Sequence, residues 1–284
     1  MSHPKFLLKK YLLAGLFCAV AASLAGQDLY DFAHSRRYAR YLLQSRQYDL
    51  AAEEYERLIF VQPTNDTLRL DLLRAYRRGG LAGRGLEKWA LWQGQNFQPG
   101  QPLRTEHARL LLAGGQPAEA RRLAALPGEL EGQFVRRAHF FGLLLEQNWR
   151  QARDTLAVFP ATEKLPRRAE FEKLLERGMA ARRKSPAVAA GLSMVLPGAG
   201  KAYAGQWKDG VVSLVFVGVN VWQTVRRFDK EGTDTFWGWV HGGLGLGFYI
   251  GNVYGSHKAA RKSNALQRLR FQRETENLVF PTLD

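Results

Sequence analysis

The chain has 284 residues, a formal net charge of +15 and one cysteine, Cys18. Its length suits two modest domains, and its composition changes sharply near residue 185. Once the leader that carries Cys18 is gone, disulfides and thiol catalysis are excluded. The positive charge raises the question of nucleic acid. However, Lys5, Lys9 and Lys10 sit at the start, and most arginines alternate with Glu and Asp, as on a solvated helical face. No nucleic-acid partner is expected.

Residues 1–26 read as a secretory signal peptide. Lys5, Lys9 and Lys10 precede an apolar run over 11–24, and Ser23-Leu24-Ala25 places small side chains where a signal peptidase inspects them. Cleavage after Ala25 or Gly26 takes Cys18 away. An uncleaved signal anchor is the alternative.

Residues 27–165 repeat themselves. Arg46-Gln47-Tyr48-Asp49-Leu50-Ala51-Ala52-Glu53-Glu54-Tyr55-Glu56-Arg57-Leu58, closing at Gln62-Pro63, puts small Ala51, aromatic Tyr55 and Leu58 on one helical face. Small Ala51 lets two helices approach, and Tyr55 fills the space beside it. About 34 residues on, Gly85, Trp89 and Trp92 take the same roles. A third unit turns at Gly114-Gly115-Gln116-Pro117 with Ala120 in the small position. A fourth turns at Gln147-Asn148-Trp149 with Ala152 in that position. The pattern resembles degenerate tetratricopeptide repeats, and an ordinary antiparallel helical bundle stays open beside it. The resemblance implies an all-α solenoid whose surface receives a protein partner. Arg69, Arg77, Arg78, Arg136 and Arg137 are candidates to meet an acidic partner, against the plainer reading of a solvated face. Trp89, Trp92 and Trp149 are expected in the core.

A charged connecting helix is expected over 166–185. Residues 186–264 then become apolar in three pulses, over 186–196, 211–225 and 235–255. The middle and last pulses approach the length that spans a bilayer, which predicts a glycine-rich transmembrane helical hairpin. Gly243, Gly247, Gly251 and Gly255 recur every fourth residue, and such a stripe permits close helix packing or a homo-oligomer. Two spans and three spans both remain open. Residues 265–284 read as a basic tail on the strength of Arg268, Arg270 and Arg273.

The stretch Leu196-Pro197-Gly198-Ala199-Gly200-Lys201-Ala202-Tyr203-Ala204-Gly205-Gln206-Trp207-Lys208-Asp209-Gly210 looks at first like a phosphate loop. It fails that pattern, because Val195 stands where the first glycine belongs and Ala202 offers no hydroxyl to a metal. Pro197, Gly198, Gly200, Tyr203, Gly205 and Gly210 instead resemble the Pro-Gly-x-Gly-x-x-Tyr-x-Gly signature of small bacterial membrane domains of the two-transmembrane type. Phe248-Tyr249-Ile250-Gly251-Asn252-Val253-Tyr254-Gly255, followed by Lys258-Ala259-Ala260 and Asn264, resembles the motif that closes proteins with that opening. The resemblance implies a membrane turn, with Lys201, Lys208 and Trp207 at lipid headgroups, and no reaction.

His3, His34, His107, His139, His241 and His257 lack metal-ligand spacing, and no nucleophile or paired carboxylates stand out. The chain is therefore expected to be no enzyme and to need no cofactor. The function read from the sequence is a membrane-anchored interaction or scaffold protein of a bacterial cell envelope. It would lie at the inner membrane, with the repeats periplasmic if the leader is cleaved. Two alternatives are an oligomeric transport or channel component built on the glycine helices, and a protein with an unusually apolar second domain that does not enter the membrane.

Overall fold

A computed structural model describes residues 31–95, 97–160 and 165–283, and all regular secondary structure among them is helical. The signal-peptide expectation over 1–26, with Cys18, lies outside the described residues. The chain divides into two compact units between Gly142 and Leu143.

The first unit contains α1 (Phe32–Gln44), α2 (Tyr48–Val61), α3 (Asp66–Arg78), α4 (Ala82–Gln93), α5 (Gln101–Ala113), α6 (Pro117–Ala125) and most of α7 (Gly132–Leu145). Each of α1 to α5 packs on the next, α5 packs on α6, and α3 also packs on α5. This arrangement of contacting helices is compatible with helical repeats. Local chemistry sets several starts. Asp31 accepts the His34 N–H at 2.6 Å, and Asn65 accepts the N–H groups of Thr67 and Leu68.

The turns carry the clearest periodicity. Arg46, Gly80, Gly115 and Gln147 all adopt left-handed backbone, with φ of 62°, 73°, 73° and 57°. In each case the following residue donates its N–H to the carbonyl five back: Gln47 to Leu42, Leu81 to Tyr76, Gln116 to Leu111, Asn148 to Leu143. These are four copies of one helix-ending motif. Their intervals are 34, 35 and 32 residues. The same turn therefore recurs at nearly constant spacing.

Ala51, Ala52, Tyr55 and Leu58 form the buried face of α2, with Leu68, Leu72, Leu73 and Tyr76 of α3 in the same core. A Cβ at Gly85 would lie 2.9 Å from Leu110 and 3.3 Å from Tyr76, so glycine there sets how closely α4 approaches α3 and α5. Trp89 and Trp92 are buried, and Trp89 stacks on His107 with ring centroids 4.0 Å apart. Burial pulls the His107 pKa down to about 4.

The second unit contains the end of α7, then α8 (Trp149–Ala157), α9 (Arg168–Ala180), α10 (Pro186–Val195), the short α11 (Ala199–Tyr203), α12 (Trp207–Glu231) and α13 (Phe236–Val279). Residues Phe280–Thr282 close it with a 3₁₀ turn. Gly178 receives the Trp149 ring, which also packs 5.3 Å from Phe271. Ser185 caps α10 by accepting the Val188 N–H, with Pro186 at its first turn. The 44-residue α13 runs without a break past residue 264.

The transmembrane hairpin expected from composition is corrected here. Among the described residues, no helix is long and apolar enough to cross a membrane. The reason lies in what interrupts the apolar runs. In α12 these are Asn220, Gln223 and Thr224, followed at once by Arg226 and Arg227. In α13 they are His241, repeated glycine and Asn252, with Lys258 and Arg261 beyond. The membrane and transmembrane assignments fall with this finding, and so does the inner-membrane location.

Candidate functional site

The 196–210 stretch builds a corner in which backbones touch. A Cβ on Gly200 would stand 1.8 Å from the Ala189 carbonyl oxygen. One on Gly198, where φ is 88°, would stand 2.0 Å from that of Gly210, and one on Gly210 would stand 2.7 Å from that of Gly198. Three glycines of the signature are thus required by contact between α10, α11 and the start of α12. The fourth, Gly205, has φ of 88° and repeats the first unit's turn: Gln206 donates to the Lys201 carbonyl, and α12 begins at Trp207.

Polar groups of α13 close this corner. Asn252 Oδ1 accepts the Gly198 N–H at 3.2 Å, and Ser193 Oγ accepts the Gly200 N–H at 3.0 Å. Ser193 and Ser256 join through their hydroxyls at 2.7 Å. Below them, Asn264 holds Lys184 through two bonds of 2.8 Å, accepting its N–H and donating to its carbonyl. Tyr203 accepts the Ser185 N–H at 3.1 Å, and its ring packs on Ala189, Ala204, Ala259 and Ala260. The two motifs separated in sequence therefore meet in space, with 252, 256 and 260 on successive turns of one α13 face.

Beside the corner lies a cavity of about 280 Å³, lined by Lys201, Val212, Phe216, Gly247, Phe248 and Gly251, with Ser213 and Asn252 completing it. Lys201 Nζ donates to Ser213 Oγ at 2.7 Å, and that hydroxyl donates to the Asp209 carbonyl at 2.9 Å. Lys208 and Trp207 are exposed, with the Lys208 ammonium 5.9 Å from the Trp207 ring centroid. Their reading as lipid-headgroup contacts rests on a spanning hairpin and falls with it.

The glycines of α13 separate into two sets. Gly238, Gly242 and Gly245 face α12, against Phe228, Thr224 and Asn220. Of the stripe singled out in the sequence, Gly243, Gly247 and Gly251 have nothing near the place a Cβ would take, and Gly255 lies against Lys201. His241 sits 3.4 Å from Asn220 across the hairpin. Most large apolar side chains of the hairpin point outward, among them Val215, Val219, Trp222, Trp237, Leu246 and Ile250.

In the first unit, Ala51, Tyr55, Trp89 and Ala120 are buried and Gly85 packs between helices. Ala152 is buried in α8 of the second unit. Arg69 is buried, its guanidinium 4.5 Å from the Phe97 ring centroid. Arg77 is buried too, and its Nε lies 2.6 Å from Glu106 Oε1, while Arg109 Nη1 lies 3.0 Å from Oε2. Neither Arg69 nor Arg77 presents an accessible cation. An uncovered cationic face lies on α1, where Arg37, Tyr38, Arg40 and Tyr41 are all exposed. Neither Arg37 nor Arg40 has an ion pair among the described residues. Sequence reading passed over this face, although the run Arg36-Arg37-Tyr38-Ala39-Arg40-Tyr41 was its signal. It also passed over Ser193, Asn252 and Ser256 as a buried polar node.

Among the described residues, no group of three or more His, Cys, Asp or Glu side chains is gathered to hold a metal. Comparison with protein families, with characterised proteins and with solved structures returns no match for the chain.

Proposed function

We propose that the chain is a non-enzymatic interaction protein whose first unit, a tetratricopeptide-like helical repeat, holds a protein partner. The observation that carries the reading is the outer face of α1. Tyr38 is 53% exposed and Tyr41 60%, and they alternate with Arg37 and Arg40 one helical turn apart. Tyrosine and arginine dominate the residues that carry binding energy at protein interfaces. Unpaired guanidinium groups beside them favour an acidic partner segment with an apolar or aromatic anchor.

The second unit supports the same class. A folded chain rarely leaves so many large apolar side chains together on its surface unless something covers them. The channel alternative needs helices that cross a bilayer, and none of the described helices is long and apolar enough.

Photo-crosslinking tests the reading. A benzophenone amino acid at position 38 of the full chain, activated in the cells that make it, should give one discrete protein adduct. The double change Arg37→Glu with Arg40→Glu should abolish that adduct. A chain that crosslinks to nothing, or to the same proteins after charge reversal, contradicts the proposal.

A further inference from the structure

We propose that the cavity beside the glycine corner is a binding site for a small amphiphilic carboxylate, an anion with one carboxylate head and a short unbranched alkyl tail. This inference is independent of the partner-binding reading of the first unit.

The cavity exists because two positions have no side chain. Gly247 and Gly251 are one turn apart on α13, and a Cβ at either would meet nothing within 4 Å. Larger residues there would fill the space. Open glycines alone define no ligand, but the groups around them do.

Asn252 lines the cavity and is only 3% exposed. Its Oδ1 is engaged by the Gly198 N–H, which fixes the amide orientation, and its Nδ2 has no partner. That donor has almost no surface of its own, so a ligand reaches it only if the Asn252 amide shifts toward the cavity. Lys201 supplies a second donor. Its ammonium has three N–H groups, and its bond to Ser213 uses one of them. It forms no ion pair with a carboxylate among the described residues.

The polar end of the cavity therefore carries a single charge, the Lys201 ammonium, and it is positive. A monoanionic head that only accepts hydrogen bonds matches it. Val212, Phe216 and Phe248 make the remaining wall apolar, which suits a hydrocarbon tail. At roughly 20–30 Å³ per non-hydrogen atom, the space holds about ten such atoms, the size of octanoate.

Calorimetric titration of the full chain with octanoate, below its micelle concentration, tests the inference, with octanol as the uncharged control. Octanoate should bind saturably at one per chain and octanol at least tenfold more weakly. Lys201→Met should weaken octanoate at least tenfold and leave octanol unchanged. Gly251→Leu should abolish both. Leucine is a good helix former, and its Cβ meets no neighbour, so this variant should melt no lower than the parent. If Gly251→Leu lowers the melting temperature, the Lys201→Met and octanol comparison decides alone. Equal binding of octanoate and octanol, octanoate binding unchanged in Lys201→Met or in a normally melting Gly251→Leu, or no saturable binding would each overturn the proposal.

Discussion

The first unit buries its large side chains, whereas the hairpin of the second leaves most of its own uncovered. In the first unit, Tyr55, Tyr76, Leu72 and Leu110 are almost completely hidden, and one turn motif returns at a nearly constant interval. In the hairpin, Val215, Trp222, Trp237 and Ile250 face outward, and the closest backbone-to-backbone contacts lie at the glycine corner. Both regions are helical, but only the second uses glycine for two opposite ends. At the corner it removes a clash. Along the outer stripe of α13 it leaves space.

The strongest way to break this comparison is to add one methyl group at the corner. Gly200→Ala places a Cβ against the Ala189 carbonyl, which is backbone and has little freedom to move. A loss of about 4 kcal/mol or more is expected, read as early melting of the second unit in urea while the first unit's signal holds. Next comes the buried ion cluster of the first unit. Glu106→Ala removes the buried carboxylate that Arg77 and Arg109 share, so that unit should lose about 3–4 kcal/mol in the same measurement.

Acid sharpens the comparison further. His107 titrates near 4 when folded because burial disfavours its charge, but near 6.5 when unfolded. The unfolded chain therefore takes the proton first. His107's contribution to stability is intact above about pH 6.5 and falls between there and pH 4. The first unit should lose on the order of 1–3 kcal/mol over that window, and His107→Phe, which keeps a ring beside Trp89, should flatten the loss.

The smallest effects run in opposite chemical directions. Gly247→Ala should raise stability by about 0.5–1 kcal/mol, since glycine inside a helix is unfavourable and the new methyl meets nothing. Arg46→Gly should also raise it, by about 0.5–1 kcal/mol, because φ of 62° strains every residue with a side chain. Thermal melts that move the other way would show that these positions are packed or relaxed in ways their geometry does not indicate.

Much of the first unit was legible in the sequence, because a small residue, a large residue and a turn recur together around Ala51, Gly85 and Ala120, a pattern that returns at Ala152 in the second unit. Its turns were only partly legible. Gly80 and Gly115 suggest left-handed backbone, but Arg46 and Gln147 hold the same geometry with ordinary side chains. Position in the repeat overrides local preference there.

The hairpin was read too simply. Apolar and glycine-rich composition suggested lipid, but the polar interruptions of both helices defeat a spanning reading. The outer stripe does not pack on α12, for a geometric reason. A step of four residues advances an α-helix by about 40° beyond a full turn, so Gly243, Gly247, Gly251 and Gly255 wind around α13. Spacing that alternates four and three drifts far less, and Gly238, Gly242 and Gly245 stay facing α12. At the candidate site, the glycines of the corner were visible as a motif. The buried node of Ser193, Asn252 and Ser256 was not, because short polar residues in an apolar helix carry no mark of what they hold.

The central claim is that a protein partner occupies the uncovered face of α1. Its most direct test is recovery of the tagged full chain from the cells that make it, at moderate salt and alongside the Arg37→Glu, Arg40→Glu variant, with the bound proteins quantified. The account predicts one stoichiometric protein on the parent chain that is lost from the variant. A parent chain recovered alone, or the same protein at the same level on both, would contradict it.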